Sequence, residues 1–336
     1  MADCEAERMT IKDVANLAGV SPASVSRYFN GGALGKEKRQ KILDVVEKTG
    51  FRPNAAAKTM RTGKSGLIGI ILPHIHSDSV SRIMDGIEKA LQELDVVLLL
   101  GYTEGKPDRE TRYLKAMQEN GVEGILFMGA AYTPELRDAL EGCRIPLIVT
   151  GQSFPGVSCV CHDDYGAMRA LTERMIAKGR EKLLYLGVEE TDRAAGKERR
   201  RGVEDACQLA GLKAPRFYQA DFTFQGGKAA ASEAFLAYPE IDGVLCANDY
   251  AALGAMRALS EMGLKVPEEV SVAGIGDNWA GEIATPGLTS AHLYYEDCGA
   301  TAVRMLLALM GQGGTGMPRP VREVKLSFSI TERGSL

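Results

Sequence analysis

A chain of 336 residues, 45% hydrophobic and 25% charged, is long enough for two or three folded units and excludes disorder as its main theme. The opening MADCEAERMT has no signal-peptide core, no apolar run approaches a membrane span, and seven cysteines at positions 4, 143, 159, 161, 207, 246 and 298 are an odd, scattered set. A cytoplasmic protein with reduced thiols and no membrane partner is expected. The net charge of −4 is segregated: residues 1–64 carry twelve Lys and Arg against seven Asp and Glu, net +5, which leaves −9 on the remainder. A basic head of this kind is either a polyanion-binding module, where phosphate neutralisation with counterion release supplies affinity, or a plain solvated surface, and the charge alone does not choose between them.

Thr10 followed three residues later by Asp13, then Val14, Leu17 and Ala18, predicts a capped amphipathic helix that Gly19 stops. Ser21 as an N-cap, Pro22 at the first helical position and an inward stripe of Val25 and Phe29 predict a second. Two short helices meeting at a glycine turn make a helix-turn-helix, whose second helix places its N-terminal side chains in a DNA major groove. Pro22, Ala23, Ser24 and Arg27 are expected on its exposed side. There Arg27 offers guanine or a phosphate a pair of donors, and Ala23 offers a thymine methyl an apolar contact. A third helix is predicted from Lys36 to Thr49, with Gly50 as its stop. Pro53 to Arg61 has good helix formers, but its nine residues are too few to be helical alone.

From Leu67 short apolar runs alternate with amphipathic stretches, from LIGIILP and SRIMDGIEKALQEL to PLIVTGQ, and a second series after Arg180 runs from KLLYLGV to VSVAGIG. This βαβ repetition predicts two open parallel sheets that bind a ligand at the carboxyl ends of their strands. Glu296 to Met310 reads as a helix returning to the first lobe. Three features that resemble enzyme or metal motifs lack the context for it. Gly311 to Gly316 spells G-x-G-x-x-G but follows a helix and precedes Met317-Pro318. Cys159 and Cys161 share one strand face beside His162 with no second ligand pair nearby, and the adjacent Asp163 and Asp164 cannot flank one bond. No cofactor, metal or catalytic residue is expected. The rival readings, a sugar-converting enzyme or a sugar-binding receptor, lack a nucleophile and acid/base pair or an export signal.

The run TIKDVANLAGVSPASVSRYFN, followed by FRPNAAAKTMRTGKSGLIGIILP, resembles the lactose-repressor family of bacterial regulators, and the likeness extends over nearly the whole chain. It implies an α/β protein with a three-helix helix-turn-helix head over residues 1–52 and a hinge helix and linker over 53–64. A two-lobed, periplasmic-binding-protein-like body with two parallel sheets, carrying effector binding and dimerisation, would occupy 65–336. The implied function is a transcriptional regulator, a repressor of carbohydrate-utilisation genes nearest to the sucrose and trehalose kind. It would bind palindromic operator DNA as a homodimer and be switched by a small sugar or sugar phosphate.

The DNA-binding residues implied are Thr10, Ser21, Pro22, Ala23, Ser24, Arg27, Asn30, Asn54, Ala57 and Met60. Met60 stands where the family inserts a leucine into the minor groove, with a solvent-facing linker role as its alternative. For the effector, the resemblance implies Asp164 as the hydroxyl-binding carboxylate, unless Asp163 is the inward member, and Arg199 as the ligand-gripping arginine. Phe222 is the implied aromatic wall, and Asn248 and Asp249 end GVLCAND, where Asp249 binds ligand or holds its loop. Asp277 ends VSVAGIGD, but Gly276 occupies the position that often carries the ligand aspartate. His74 and Gln152, each just beyond a first-lobe strand, are cleft linings or plain loop positions.

Overall fold

The first helix, α1 (Ile11–Ala18), begins at the capping box read from the sequence: Asp13 N–H donates to Thr10 Oγ1 at 3.4 Å, and Thr10 N–H donates to Asp13 Oδ2 at 2.8 Å. Gly19 ends it at φ 61°, a left-handed conformation that glycine adopts without steric cost. The computed structural model describes residues 9–29, 31–51, 65–311 and 320–336. Asn30, Asn54, Ala57, Met60 and the expected hinge helix lie outside them. The chain divides into two units, residues 1–65 and 66–336.

In the first unit α1 packs with α2 (Pro22–Phe29) and α3 (Lys36–Thr49) around Val14, Ala15, Ala18, Val25, Ile42 and Phe51. Leu17, expected on the inward stripe, is 61% exposed. Val14, Ala15 and Ala18 already fill the face that α1 turns to its neighbours, and a residue one position before Ala18 falls about 100° away from it.

The second unit is two lobes threaded by one chain. The first series gives β1 (Leu67–Leu72), α4 (Asp78–Leu91), β2 (Val97–Tyr102), α5 (Pro107–Glu119), β3 (Gly124–Phe127), α6 (Pro134–Glu141), β4 (Leu147–Thr150) and β5 (Cys159–His162). The chain then crosses into α7 (Asp164–Ala177), β6 (Leu183–Gly187), a π-helical turn (Arg193–Glu198), α8 (Arg199–Leu209) and β7 (Arg216–Gln219). The second lobe continues with α9 (Phe224–Ala237), β8 (Gly243–Cys246), α10 (Asp249–Glu261), β9 (Ser271–Ile275), α11 (Trp279–Ile283) and β10 (Thr289–Leu293). Next come α12 (Tyr295–Gly311), β11 (Glu323–Leu326) and β12 (Phe328–Thr331).

The first sheet has the order β11-β5-β4-β3-β1-β2 and is wholly parallel; the second has the order β12-β10-β9-β8-β6-β7. The second sheet is parallel as expected except at its edge, where β12 runs antiparallel to β10. The cause is local. Only Ser327 separates β11 from β12, so no crossover helix is available to restore a parallel direction.

As expected, α12 returns to the first lobe, where it packs on α4 through two glycines. A Cβ on Gly86 would overlap the Glu296 carbonyl, and one on Gly299 would overlap that of Ile83, so the helices approach backbone to backbone. Central strands such as β3, β4, β5 and β8 are buried along their whole length, as sheets covered on both faces require. No helix among the described residues is long and apolar enough to cross a membrane.

One buried charge sits beneath the loop that follows β3. Glu110, on α5, is wholly buried; its Oε1 accepts the Ala130 N–H at 2.9 Å, while Oε2 has no partner among the described residues. Burial pushes the carboxyl up to about 7, against the pull of the Ala130 bond. A carboxyl whose folded pKa exceeds its unfolded value stabilises the fold at low pH, and that contribution is lost as pH rises from its unfolded pKa of about 4.3 through 7. Urea unfolding should therefore show that the wild type loses about 2–3 kcal/mol more stability than Glu110→Gln between pH 4.5 and 7.5. Parallel profiles would show that Glu110 does not titrate in this range.

Candidate functional site

Two surfaces carry candidate chemistry, one in each unit. In the head, Ser21 caps α2: Ser24 N–H donates to Ser21 Oγ at 3.3 Å, and the two hydroxyls lie 3.0 Å apart. Pro22, Ala23 and Arg27 are exposed together on this helix. Ser24 is not with them. At 6% exposure, beside Val25 on the inner face, it buttresses the cap and offers no atom to a groove. Thr10 is exposed, and its hydroxyl is held by Asp13 at 2.6 Å.

In the body, the carboxyl ends of both sheets face a cavity of about 530 Å³. Strand ends supply much of the wall, with His74 beyond β1, Gly129 beyond β3, Gln152 beyond β4, His162 at the end of β5, Asn248 beyond β8 and Gly276 beyond β9, and the starts of α4, α8 and α12 supply more of it. This is where open α/β sheets bind ligands, because loops there converge while the strands hold them rigid.

Arg199 opens α8 and is 7% exposed. Its Nε donates to Asp164 Oδ1 at 2.8 Å, its Nη2 lies 2.7 Å from the same oxygen, and its Nη1 donates to the Ala247 carbonyl. Burial opposes the guanidinium charge, but the Asp164 carboxylate outweighs it and holds the pKa above its usual value. Asp164, not Asp163, is thus the inward carboxylate, although it sits behind Arg199 and does not itself line the cavity. Asp163 instead caps α7, accepting the Gly166 N–H at 3.1 Å.

His74, Gln152, Arg199, Phe222, Asn248 and Asp249 all line the cavity. Phe222 is 38% exposed there. Asn248 is heavily committed: Oδ1 accepts the Ala251 N–H and Nδ2 donates to the Phe222 carbonyl, both at 2.9 Å. Asp249 holds its loop. Buried at 2% exposure, it accepts the Ser290 hydroxyl at 2.6 Å and the Asn278 N–H at 2.7 Å, and burial still pushes its carboxyl up to about 6. Asp277 is not brought to the cavity. At φ 52° its side chain turns to the C-terminal edge, where it accepts bonds from Arg333 at 2.8 Å and Thr331 at 3.0 Å and lies 3.1 Å from His292 Nδ1.

Sequence reasoning missed several linings. Asp192 caps the π-helical turn by accepting the Ala195 N–H at 2.8 Å, and burial pushes it up to about 6. The His162 ring packs edge-on to Tyr295, with centroids 5.0 Å apart. Thr150, Gln152 and His162 each keep a buried polar atom without a partner among the described residues. Of these, Gln152 is a lining that the sequence had already pointed to; Thr150 and His162 carry no signal beyond being the last residues of β4 and β5, and residues of that kind are too common to single out.

Two arginines, one from each lobe, span the cleft. Arg82 on α4 donates to the Gly276 carbonyl at 2.6 Å and lies 5.0 Å from the centre of the Tyr295 ring. Arg193 donates to the Ser153 carbonyl at 3.1 Å and lies 5.7 Å from the centre of the Tyr132 ring. Cys143, Cys159, Cys161, Cys207, Cys246 and Cys298 are free thiols, and no cluster of His, Cys, Asp or Glu among the described residues is arranged to hold a metal ion.

Comparison with known proteins finds a match in each unit. Residues 10–54 match the family of bacterial regulatory proteins called lacI, and residues 172–336 match the periplasmic binding protein-like domain. Over 300 residues the chain is 29% identical to the sucrose operon repressor of Staphylococcus xylosus, covering 88% of this chain and 92% of that one. The solved complex of the transcriptional regulator CelR with cellobiose is similar at 26% identity with a TM-score of 0.74, over 98% of this chain and 100% of that one. The lac repressor dimer bound to operator and the anti-inducer ONPF, 22% identical, shares the fold with a TM-score of 0.86 over 98% and 99% of the two chains. A helix-turn-helix head joined to a two-lobed body with a strand-end cleft is what these relatives share, and the chain belongs to the lacI family of DNA-binding transcriptional regulators.

Proposed function

We propose that this chain binds a palindromic operator as a cytoplasmic homodimer, represses carbohydrate-utilisation genes, and is switched by a small sugar or sugar phosphate in the cleft, without catalysing a reaction. The observation that carries this reading is the presence, in one chain, of an exposed Pro22-Ala23-Arg27 edge on α2 and a cavity whose lining keeps unpaired polar groups. Hydroxyl-rich ligands need that mixture of polar groups and an aromatic wall such as Phe222. A repressor named for the sucrose operon and a regulator solved with cellobiose, among the relatives, support the ligand class. The ligand acts by favouring one arrangement of the lobes, since equal affinity for both would shift nothing.

On the DNA side, Pro22, Ala23 and Arg27 read bases while Thr10 and Ser21 order the helix starts; Asn30, Asn54, Ala57 and Met60 keep their proposed contacts. On the effector side, His74, Gln152, Arg199, Phe222 and Asn248 face the ligand, with Asp164 and Asp249 holding the residues around it. The homodimer is supported by β2. This strand is a sheet edge, yet Val97 is 64% exposed, Leu100 57% and the neighbouring Leu94 42%. An apolar, uncharged edge templates pairing with another chain, and a second copy covers it.

Operator fragments recovered by sequencing the DNA that the protein retains test the head. Arg27→Ala should weaken binding to them by about 1–3 kcal/mol and affect random DNA less; equal losses on both would reject base reading by Arg27. Leu100→Lys should shift sedimentation toward the monomer and weaken operator binding, whereas an unchanged dimer would place the interface elsewhere.

A further inference from the structure

We infer that the cleft selects an uncharged polyol and rejects sugar phosphates and sugar acids. This deepens the effector role proposed above and rests on it. A phosphate or carboxylate needs cationic donors whose charge is not already neutralised. The cavity lining holds one guanidinium, that of Arg199, which Asp164 neutralises at 2.7 Å. Three of its five N–H groups are engaged by Asp164 and the Ala247 carbonyl, so at most two remain for a ligand, and they arrive with no net charge. Arg193, between the lining residues Asp192 and Ala194, does not itself line the cavity and donates to the Ser153 carbonyl at 3.1 Å; Arg82 is the other arginine that spans the cleft. It does not line the cavity, donates to Gly276 across the cleft at 2.6 Å, and lies 3.5 Å from Asp78.

Against this, four carboxyl groups line the cavity: Asp78, Asp192, Asp221 and Asp249. Of the lining histidines, desolvation lowers the pKa of His74 and His162 and favours their neutral forms. Helix starts at the cleft, natural anion sites, are also occupied from within. Asp192 takes the Ala195 N–H, Asn248 takes that of Ala251, and Asn278 takes that of Ala280. The start of α4 has no side-chain cap, but its first residue is Asp78, which repels an anion there.

What the lining does offer is neutral. Thr150, Gln152 and His162 are 2%, 7% and 5% exposed, and each keeps one polar atom without a partner among the described residues: Oγ1, Oε1 and Nε2. A buried polar atom without a partner is costly, and ligand hydroxyls, which both donate and accept, supply what is missing.

Calorimetry on the full chain with sucrose, cellobiose and glucose, each beside sucrose 6-phosphate, cellobiose 6-phosphate, glucose 6-phosphate and gluconate, tests this. A neutral sugar should bind, with its affinity changing less than about twofold between low and high salt, and its charged counterpart should bind at least about a hundredfold more weakly. Asp78→Asn should narrow that gap by about tenfold. A charged member that binds as tightly as its neutral parent, or a gap that Asp78→Asn leaves unchanged, overturns the inference. Silence from every member, with operator binding intact, overturns instead the sugar reading on which it stands.

Discussion

Asp164 is the first residue of α7, immediately past the point where the chain leaves the first sheet, and it is bonded in a buried site to Arg199 at the start of α8. Through Nη1 the same guanidinium reaches the Ala247 carbonyl just beyond β8. One side chain thus ties a lobe crossover, a helix start and a strand end together at the floor of the cleft. A buried ion pair of this kind contributes little net stability compared with apolar packing, but loss of either partner leaves an uncompensated charge in the interior. Its consequence is positional: Arg199 is held where it can offer N–H groups to a ligand without presenting a free charge.

The same region governs how the lobes can move. Asp163 alone separates β5 from α7, Tyr294 alone separates β10 from α12, and Ser327 alone separates β11 from β12. Three links of one residue each permit bending about an axis but not free sliding, the geometry of a hinge. Closure is then set by what crosses the cleft. Arg82 to Gly276 and Arg193 to Ser153 bridge the lobes through backbone carbonyls, so they depend on lobe position rather than on partner side-chain identity. A ligand that pairs the orphaned atoms of Thr150, Gln152 and His162 adds to that balance, and a change in the population of lobe arrangements is the signal available to the operator-binding head.

Much of this was legible in the sequence because it rests on local chemistry. The Thr10–Asp13 box and the glycine stops at Gly19 and Gly50 follow from caps, and the βαβ rhythm follows from apolar periodicity. The failures have physical causes. Leu17 and Ser24 sit in helices too short for periodicity to tell two adjacent faces apart. β12 is short and alternates Phe and Ile with Ser and Thr, a pattern that reports a strand but not its direction against β10. Asp277 shares the strand-end position of the cleft residues, but its partner Arg333 lies 56 residues on, and no local pattern announces it. Asp192 escaped notice because the turn it caps is π-helical, a geometry with no compositional mark of its own.

The organising role of the buried pair is tested most directly by a double-mutant cycle, with Asp164→Asn, Arg199→Met and the double variant compared by chemical denaturation. Each single replacement should cost about 3–5 kcal/mol, and the double replacement should cost little more than either, because the second change removes the charge the first left unpaired. Losses that simply add would contradict the account, since they would mean that the two side chains hold their places independently.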